Sequence, residues 1–215
     1  MSKLPTVFVV EDDTSLREGI RSLLRSVGQR VETFSTAEEF IAQRHPPQPG
    51  DHPECLVLDV RLPDTSGLEL QKRLSTLGDL IPIIFITGHA DVPMSVQTMK
   101  SGAVDFLTKP FRDQDLLESV QATLRHDRAR REEQRETAIA LTHYESLTER
   151  EREIMRLVVS GQLNKQIADT VGLSEVTVKT HRAHLMKKMG ASSLAELVRV
   201  AVRIETSLDS ADYRT

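Results

Sequence analysis

The sequence predicts an α/β unit built on a doubly wound parallel sheet, followed by a purely helical unit. Three observations predict it. Five short strand-like runs, TVFVV (6–10), RVETF (30–34), CLVLDV (55–60), PIIFI (82–86) and VDFL (104–107), punctuate the first 125 residues. Stretches with apolar residues at helical spacing separate them. From Leu147 onward only the helical period remains. Short strands alternating with amphipathic helices form a parallel sheet covered on both faces, a (βα)5 arrangement.

Each element has a local reason. Leu16, Ile20, Leu23, Leu24 and Val27 recur at helical spacing, and Gly28 stops that helix. Ser35 or Thr36 can cap a second helix through Phe40 and Ile41. HPPQPGDHPE (45–54) is a loop on composition alone, and LPDTSG (62–67) is a turn. Leu68, Leu70 and Leu74 mark a third helix, a fourth is expected around 92–101, and a fifth starts near Asp113. Residues 126–143 are charged and hold no Gly or Pro, so they read as a helical linker continuing the fifth helix. Only Ile139 and Leu141 are large and apolar there, which argues against a coiled-coil seam. Four helices are expected beyond it. The first opens on the capping box Thr148-x-x-Glu151 and stops at Gly161; the second spans about Asn164 to Val171. Gly172-Leu173-Ser174 makes a tight turn into a third, from Glu175 to Gly190, and a fourth runs from about Ser193 to Ile204. The expected organisation is 1–125, a linker 126–143, a helical domain 144–208 and a tail 209–215.

Composition narrows the class. The 215 residues are 39% hydrophobic and 28% charged, with no apolar run near the roughly 20 residues of a membrane span. The amino terminus lacks a signal-peptide layout, and the one cysteine, Cys55, sits in a strand and reads as a core thiol. A cytoplasmic protein with no membrane partner is expected. Net charge is −4, split as −5 over residues 1–125 and +1 over 126–215, which suggests two units with different tasks.

The stretch VFVVEDD (7–13) runs four apolar residues into three consecutive acids. Glu11, Asp12 and Asp13 follow the first strand, Asp59 ends the third, Thr87 follows the fourth and Lys109 follows the fifth. In a parallel sheet all of these meet at the carboxyl edge, where ligands bind. Clustered carboxylates repel unless a cation neutralises them, and a hard ion with oxygen ligands such as Mg²⁺ (or Mn²⁺) suits an open site. A carboxylate nucleophile, a metal, a lysine and a hydroxyl together point to phosphoryl transfer.

EDD, LVLDVRLPDTSGLEL, ITG and VDFLTKPF resemble the receiver domain of two-component response regulators, over about residues 5–125. The resemblance implies Asp59 as phosphoacceptor. It implies Asp12 and Asp13 holding the metal with Asp59, the backbone carbonyl of Arg61 as a further ligand, and Glu11 as a flanking acid. It implies Thr87 and Lys109 on the phosphoryl oxygens, Phe106 at the aromatic switch position, and a cis bond at Lys109-Pro110.

In the helical unit the turn between the second and third helices matches a helix-turn-helix. At 100° per residue, Val178, His181, Leu185 and Met189 of the third helix share one face and are expected in the core. Val176, Lys179, Thr180, Ala183 and Lys187 fall opposite. Lysines with small residues suit a DNA major groove, with Thr177 at the same helix start. Arg182, between the faces, and Lys165 are candidate phosphate contacts. A merely solvated charged face explains the lysines almost as well. His181 and His184 could pair on a metal, but no other ligand supports it, and His181 reads as a core histidine.

LTEREREI, NKQIA, SEVTVKTHR and SLAELVRVA together resemble the LuxR-type four-helix domain, over about 145–204. Receiver plus this domain is the NarL/FixJ architecture, and TGHADVP with KPF resembles its FixJ-type branch. The resemblance implies a cognate sensor histidine kinase, double-stranded promoter DNA and RNA polymerase as partners. It also implies a homodimer through the face of the receiver's fourth helix, fifth strand and fifth helix, with activation the commoner outcome. Two rival readings share some of these features: a helical unit that binds protein rather than DNA, and an α/β phosphatase. The second needs a general acid two residues after the nucleophile, where Arg61 stands, so no enzyme is expected.

Overall fold

The computed structural model describes residues 4–45, 52–88 and 105–212. The chain divides into two compact units, Met1–Glu132 and Glu133–Thr215.

The first unit holds β1 (Thr6–Val10), α1 (Thr14–Ser26), β2 (Arg30–Phe34), α2 (Ala37–Gln43), β3 (Glu54–Asp59), α3 (Gly67–Thr76), β4 (Ile83–Thr87), β5 (Asp105–Thr108) and the start of α4 (Asp113–Glu145). The sheet order is β2-β1-β3-β4-β5, every pair parallel. This is the doubly wound order that places a ligand crevice at the carboxyl ends of β1 and β3. The helix expected at 92–101 lies outside the described residues.

Alternation along the strands builds two cores. Val7, Val9, Cys55, Val57, Ile84 and Ile86 point to one face and pack on Ile20 and Leu24 of α1 and on Leu116, Val120 and Leu124 of α4. Phe8, Val10, Leu56, Leu58, Ile83 and Phe85 point to the other and meet Ala37 and Phe40 of α2 with Leu70 and Leu74 of α3. Each fully buried Leu, Ile or Phe contributes about 1.5–3 kcal/mol against exposure. Cys55 is a buried free thiol, and burial, aided by the nearby charges of Asp127 and Glu54, pushes its pKa up.

The expected caps form. Thr36 Oγ1 accepts from Glu39 N at 3.1 Å, while Ser35 donates back to Glu39 Oε2 from its N–H and its hydroxyl. Gly28 ends α1 with φ of 81°, a conformation costly for other residues.

The second unit contains the end of α4, then α5 (Glu149–Val159), α6 (Asn164–Val171), α7 (Glu175–Lys188) and α8 (Leu194–Asp212). The Thr148–Glu151 capping box is present. Gly172 is left-handed at φ 67°, which turns the chain from α6 into α7. Ile154, Ile167, Val178, Leu185 and Leu197 are fully buried at its centre.

Two differences from the sequence reading stand out. α8 continues to Asp212, where a tail was expected from 209; no Gly or Pro interrupts it. The charged segment 126–143 is helical, but it is not simply solvated. Asp127 is fully buried within the first unit, and Ala140 is buried in the core of the second. Asp127 accepts from Arg130, Arg131 and the backbone N–H of Glu54, and Glu54 in turn pairs with Arg44, itself bidentate on Asp79. A charge pattern cannot separate a solvated arginine from one folded over a buried acid.

Candidate functional site

Strand parity assembles the acidic site. Val10 pairs with Leu58, so one residue further on Glu11 lies beside Asp59. Glu11, Asp59 and Lys109 each follow by two an inward residue of the same face, Val9, Val57 and Leu107. Glu11 is fully buried and Asp59 is 6% exposed. Lys109 Nζ donates to Glu11 Oε2 and to Asp59 Oδ2, both at 2.6 Å. The other Asp59 oxygen accepts from the Arg61 N–H at 3.0 Å. Thr87 is buried at the end of β4, and its carbonyl accepts from the Lys109 N–H at 2.7 Å, which joins the two loci. The Lys109-Pro110 bond is cis.

One ammonium serves two buried carboxylates, and the consequences differ for the partners. Burial pushes the Glu11 carboxyl up to about 7; the Lys109 hydrogen bond pulls it down, and the charge of Asp59 adds to the rise. For Lys109 burial opposes the charge, but the hydrogen bonds and charges of Asp59 and Glu11 outweigh it and raise its pKa. The cluster is therefore short of positive charge, a deficit that a bound cation would fill.

Among the described residues, one group of carboxylates is close enough to hold a metal. Glu11, Asp12 and Asp59 each offer an oxygen within 4.8 Å of the others. Hard oxygen donors in a half-open setting fit Mg²⁺ or Mn²⁺. Asp13, expected as a ligand, is placed differently. Its Oδ1 accepts from Leu16 N at 2.9 Å as the N-cap of α1, and its own N–H donates to Glu11 Oε1 at 3.3 Å. Glu11, set aside on sequence as a flanking acid, takes the position inside the cluster. Part of the signal was available: alternation from Val7 and Val9 puts Glu11 on the face that Asp59 shares, while Asp13, of the same parity, lies past the end of β1 and caps α1.

Two residues shape the loop after Asp59. A Cβ on Gly67 would lie 2.4 Å from the Asp59 carbonyl oxygen, so α3 starts this close to the site only with glycine. Asp64 reaches α2 and accepts from the N–H groups of Ala37 (3.3 Å) and Glu38 (3.0 Å). Phe106 is half-buried against the α2–α3 core, paired in register with Phe85.

In the helical unit the two faces of α7 separate as expected. Val178, Leu185 and Met189 are buried and His181 is half-buried. Val176 (73% exposed), Lys179, Thr180, Ala183 and Lys187 face outward, and Lys165 is exposed on α6. Lys179 pairs loosely with Glu175 at 3.3 Å. Thr177 is half-buried and bonded to the Ser174 cap. Arg182 is half-buried and donates to Asn164 Oδ1 at 3.0 Å, so it braces α7 against the start of α6. Lys188 turns inward to Glu151 at 2.6 Å.

A receiver fold with its acidic edge and a separate helix-turn-helix unit define a DNA-binding response regulator. Comparison with known proteins bears this out. Residues 7–121 match the response regulator receiver domain, and residues 145–201 match the bacterial regulatory proteins of the luxR family. The chain belongs to the two-component transcriptional response regulators of the FixJ type. It is 53% identical to nodulation protein W of Bradyrhizobium diazoefficiens, over 91% of this chain and 84% of that protein. It is 45% identical to response regulator protein TmoT of Ectopseudomonas mendocina, over 94% and 90%. Among solved structures, response regulator StyR superposes with a TM-score of 0.80 at 47% identity, covering 94% of this chain and all of that one. Full-length FixJ from B. japonicum gives 0.56 at 37% identity, over 96% and 99%. A receiver implies a kinase partner and a LuxR-type domain implies DNA. No helix among the described residues is long and apolar enough to cross a membrane.

Proposed function

We propose that this chain is a transcription regulator switched by phosphorylation of Asp59, and that the switch raises its affinity for promoter DNA. The observation that carries the reading is Lys109 Nζ at 2.6 Å from both Asp59 and Glu11, inside the acidic edge. A phosphohistidine on a sensor kinase is the donor. An Asp59 carboxylate oxygen forms the new P–O bond as the donor P–N bond breaks, and the electron pair stays on the imidazole nitrogen. Lys109, already on the carboxylate, then neutralises a phosphoryl oxygen, and the buried Thr87 hydroxyl donates to another. The Arg61 N–H orients Asp59 before attack.

Magnesium (or manganese) would be held by Glu11, Asp12 and Asp59 with the Arg61 backbone carbonyl, and would supply positive charge to the transferred group. A cavity of about 610 Å³ beside Lys109, lined by Leu16, Ile20, Leu23, Phe111 and Leu116, offers a donor protein an apolar footing next to the site.

Phe106 follows Thr87 on phosphorylation and changes the face used for homodimerisation; the segment 92–101, expected to contribute to this face, lies outside the described residues. Dimerisation pairs two DNA-binding units and converts two weak half-sites into one tight site. Val176, Lys179, Thr180, Ala183 and Lys187 read the major groove, with Lys165 on the backbone; Thr177 and Arg182 hold α7 in place. Promoter-bound dimers recruit RNA polymerase in the cytoplasm, and activation is the expected outcome.

The test is sedimentation and DNA retention of the full chain before and after treatment with acetyl phosphate and Mg²⁺. A shift from monomer to dimer with tighter DNA binding supports the reading. Unchanged mass and DNA affinity in a protein shown to carry the phosphoryl group would refute it.

A further inference from the structure

The acidic loop is held by a residue that neither the fold nor the metal-ligand chemistry assigns. Arg17, in the first turn of α1, directs its guanidinium back over the loop. Nη1 donates to the carbonyl of Glu11 at 2.7 Å and to the carbonyl of Asp12 at 3.0 Å, and Nη2 reaches Thr14 Oγ1 at 3.2 Å. The Arg17 N–H also donates to the Asp13 carbonyl at 2.9 Å. Three consecutive carbonyls of the loop thus end on one residue. Two of them belong to the residues whose side chains approach Asp59 within the 4.8 Å cluster. Beyond β1 the loop has left its sheet partners; the last bond to a neighbouring strand is Glu11 N–H to the Phe34 carbonyl at 3.2 Å.

We infer that Arg17 is a positioning residue for the divalent-cation site: it fixes the backbone of Glu11 and Asp12 so that their carboxylates converge with that of Asp59. One guanidinium nitrogen takes both carbonyls while the other, fixed in the same plane, is anchored on Thr14 Oγ1; an ammonium, a point donor, offers no such second anchor. The inference rests on the metal-site reading above, and it makes a prediction opposite in sign to that of charge alone. Arg17 is a cation beside a cation site. If it acted only through its charge, removing it would tighten Mg²⁺ binding by a few-fold. If it positions the carboxylates, removing it weakens binding, by roughly 10- to 100-fold as for other groups that orient metal ligands.

The experiment is Mg²⁺ titration by calorimetry on the full chain, for wild type, Arg17→Met and Arg17→Lys, together with hydrogen exchange of the Asp12 and Asp13 amides without metal. Weaker Mg²⁺ binding in both variants, with faster exchange at these amides, supports the inference. Binding in Arg17→Met that is unchanged or tighter overturns it, and Arg17→Lys at wild-type affinity overturns the need for the anchored guanidinium. Should the wild type bind no Mg²⁺, the metal-site reading fails on its own. The loop staple is then judged by exchange: protection lost in Arg17→Met sustains it, and protection retained overturns it.

Discussion

At the proposed metal site, Glu11 should make Mg²⁺ binding a proton-linked event. Its carboxyl is pushed up to about 7 by burial and by the charge of Asp59, against the pull of Lys109. The metal requires the ionised form, so a proton must leave when it binds. The sign is unambiguous: as pH falls through about 7, Glu11 takes up a proton and affinity drops. At about pH 6 roughly one molecule in ten has Glu11 ionised, against roughly nine in ten at about pH 8. Apparent Mg²⁺ affinity should therefore fall about tenfold across that window, with close to one proton released per ion at its acid end. The same shift acts on the metal-free fold. A carboxyl that is protonated when folded and ionised when unfolded stabilises fully below about pH 4.5, and that stability is lost as pH rises through about 7. Calorimetry in buffers of differing ionisation heat measures both the affinity and the proton count. Glu11→Gln should bind more weakly and lose most of the pH dependence between about pH 6 and about pH 8. Equal affinity at both pH values in the wild type would refute the reasoning. So would a Glu11→Gln variant that binds normally while Asp13→Asn does not.

Other consequences are as specific. Gly67→Ala pushes a methyl against the Asp59 carbonyl and should cost the first unit about 1–3 kcal/mol by urea unfolding, with slower phosphorylation. Asp127→Ala strips Arg130 and Arg131 of a buried partner and should cost about 3 kcal/mol in the same measurement. Glu151, held down to about 2 by Lys188 and Thr148 against its burial, gives the helical unit stability that is present above about pH 4.5 and lost towards about pH 2. Circular dichroism should show Glu151→Gln less stable by about 1–2 kcal/mol at neutral pH, Lys188 being half-exposed, and less sensitive to acid in that window. Lys179→Ala with Lys187→Ala should weaken retention on DNA and reduce the slope of affinity against salt by about two; an unchanged slope would return the solvated-face reading of α7.

Much of this was legible in the sequence. Strand ends were readable because apolar runs stop where the carboxyl edge begins, and this alone places Asp59, Thr87 and Lys109 at one edge. The recognition-helix faces were readable from the 3.6 period, which put Val178 and Leu185 inside and Lys179 and Lys187 outside. What failed to show was geometry that residue type does not encode. Three adjacent acids look alike; Glu11 and Asp13 share the parity of Val9, and only the end of β1 at Val10 and the capping demand of α1 separate them. Arg17 bonds to backbone carbonyls, which leave no trace in side-chain pattern. Asp127 lies in a charged run where burial reverses the usual meaning of charge. The end of α8 ran past its apolar period because nothing there breaks a helix.

The central claim is that Asp59 is the phosphoacceptor. The most direct measurement is the intact mass of the full chain after incubation with Mg²⁺ and acetyl phosphate, for the wild type and for Asp59→Asn. One phosphoryl group on the wild type and none on Asp59→Asn is the predicted result. A phosphoryl group on both proteins, or on neither, would contradict the account.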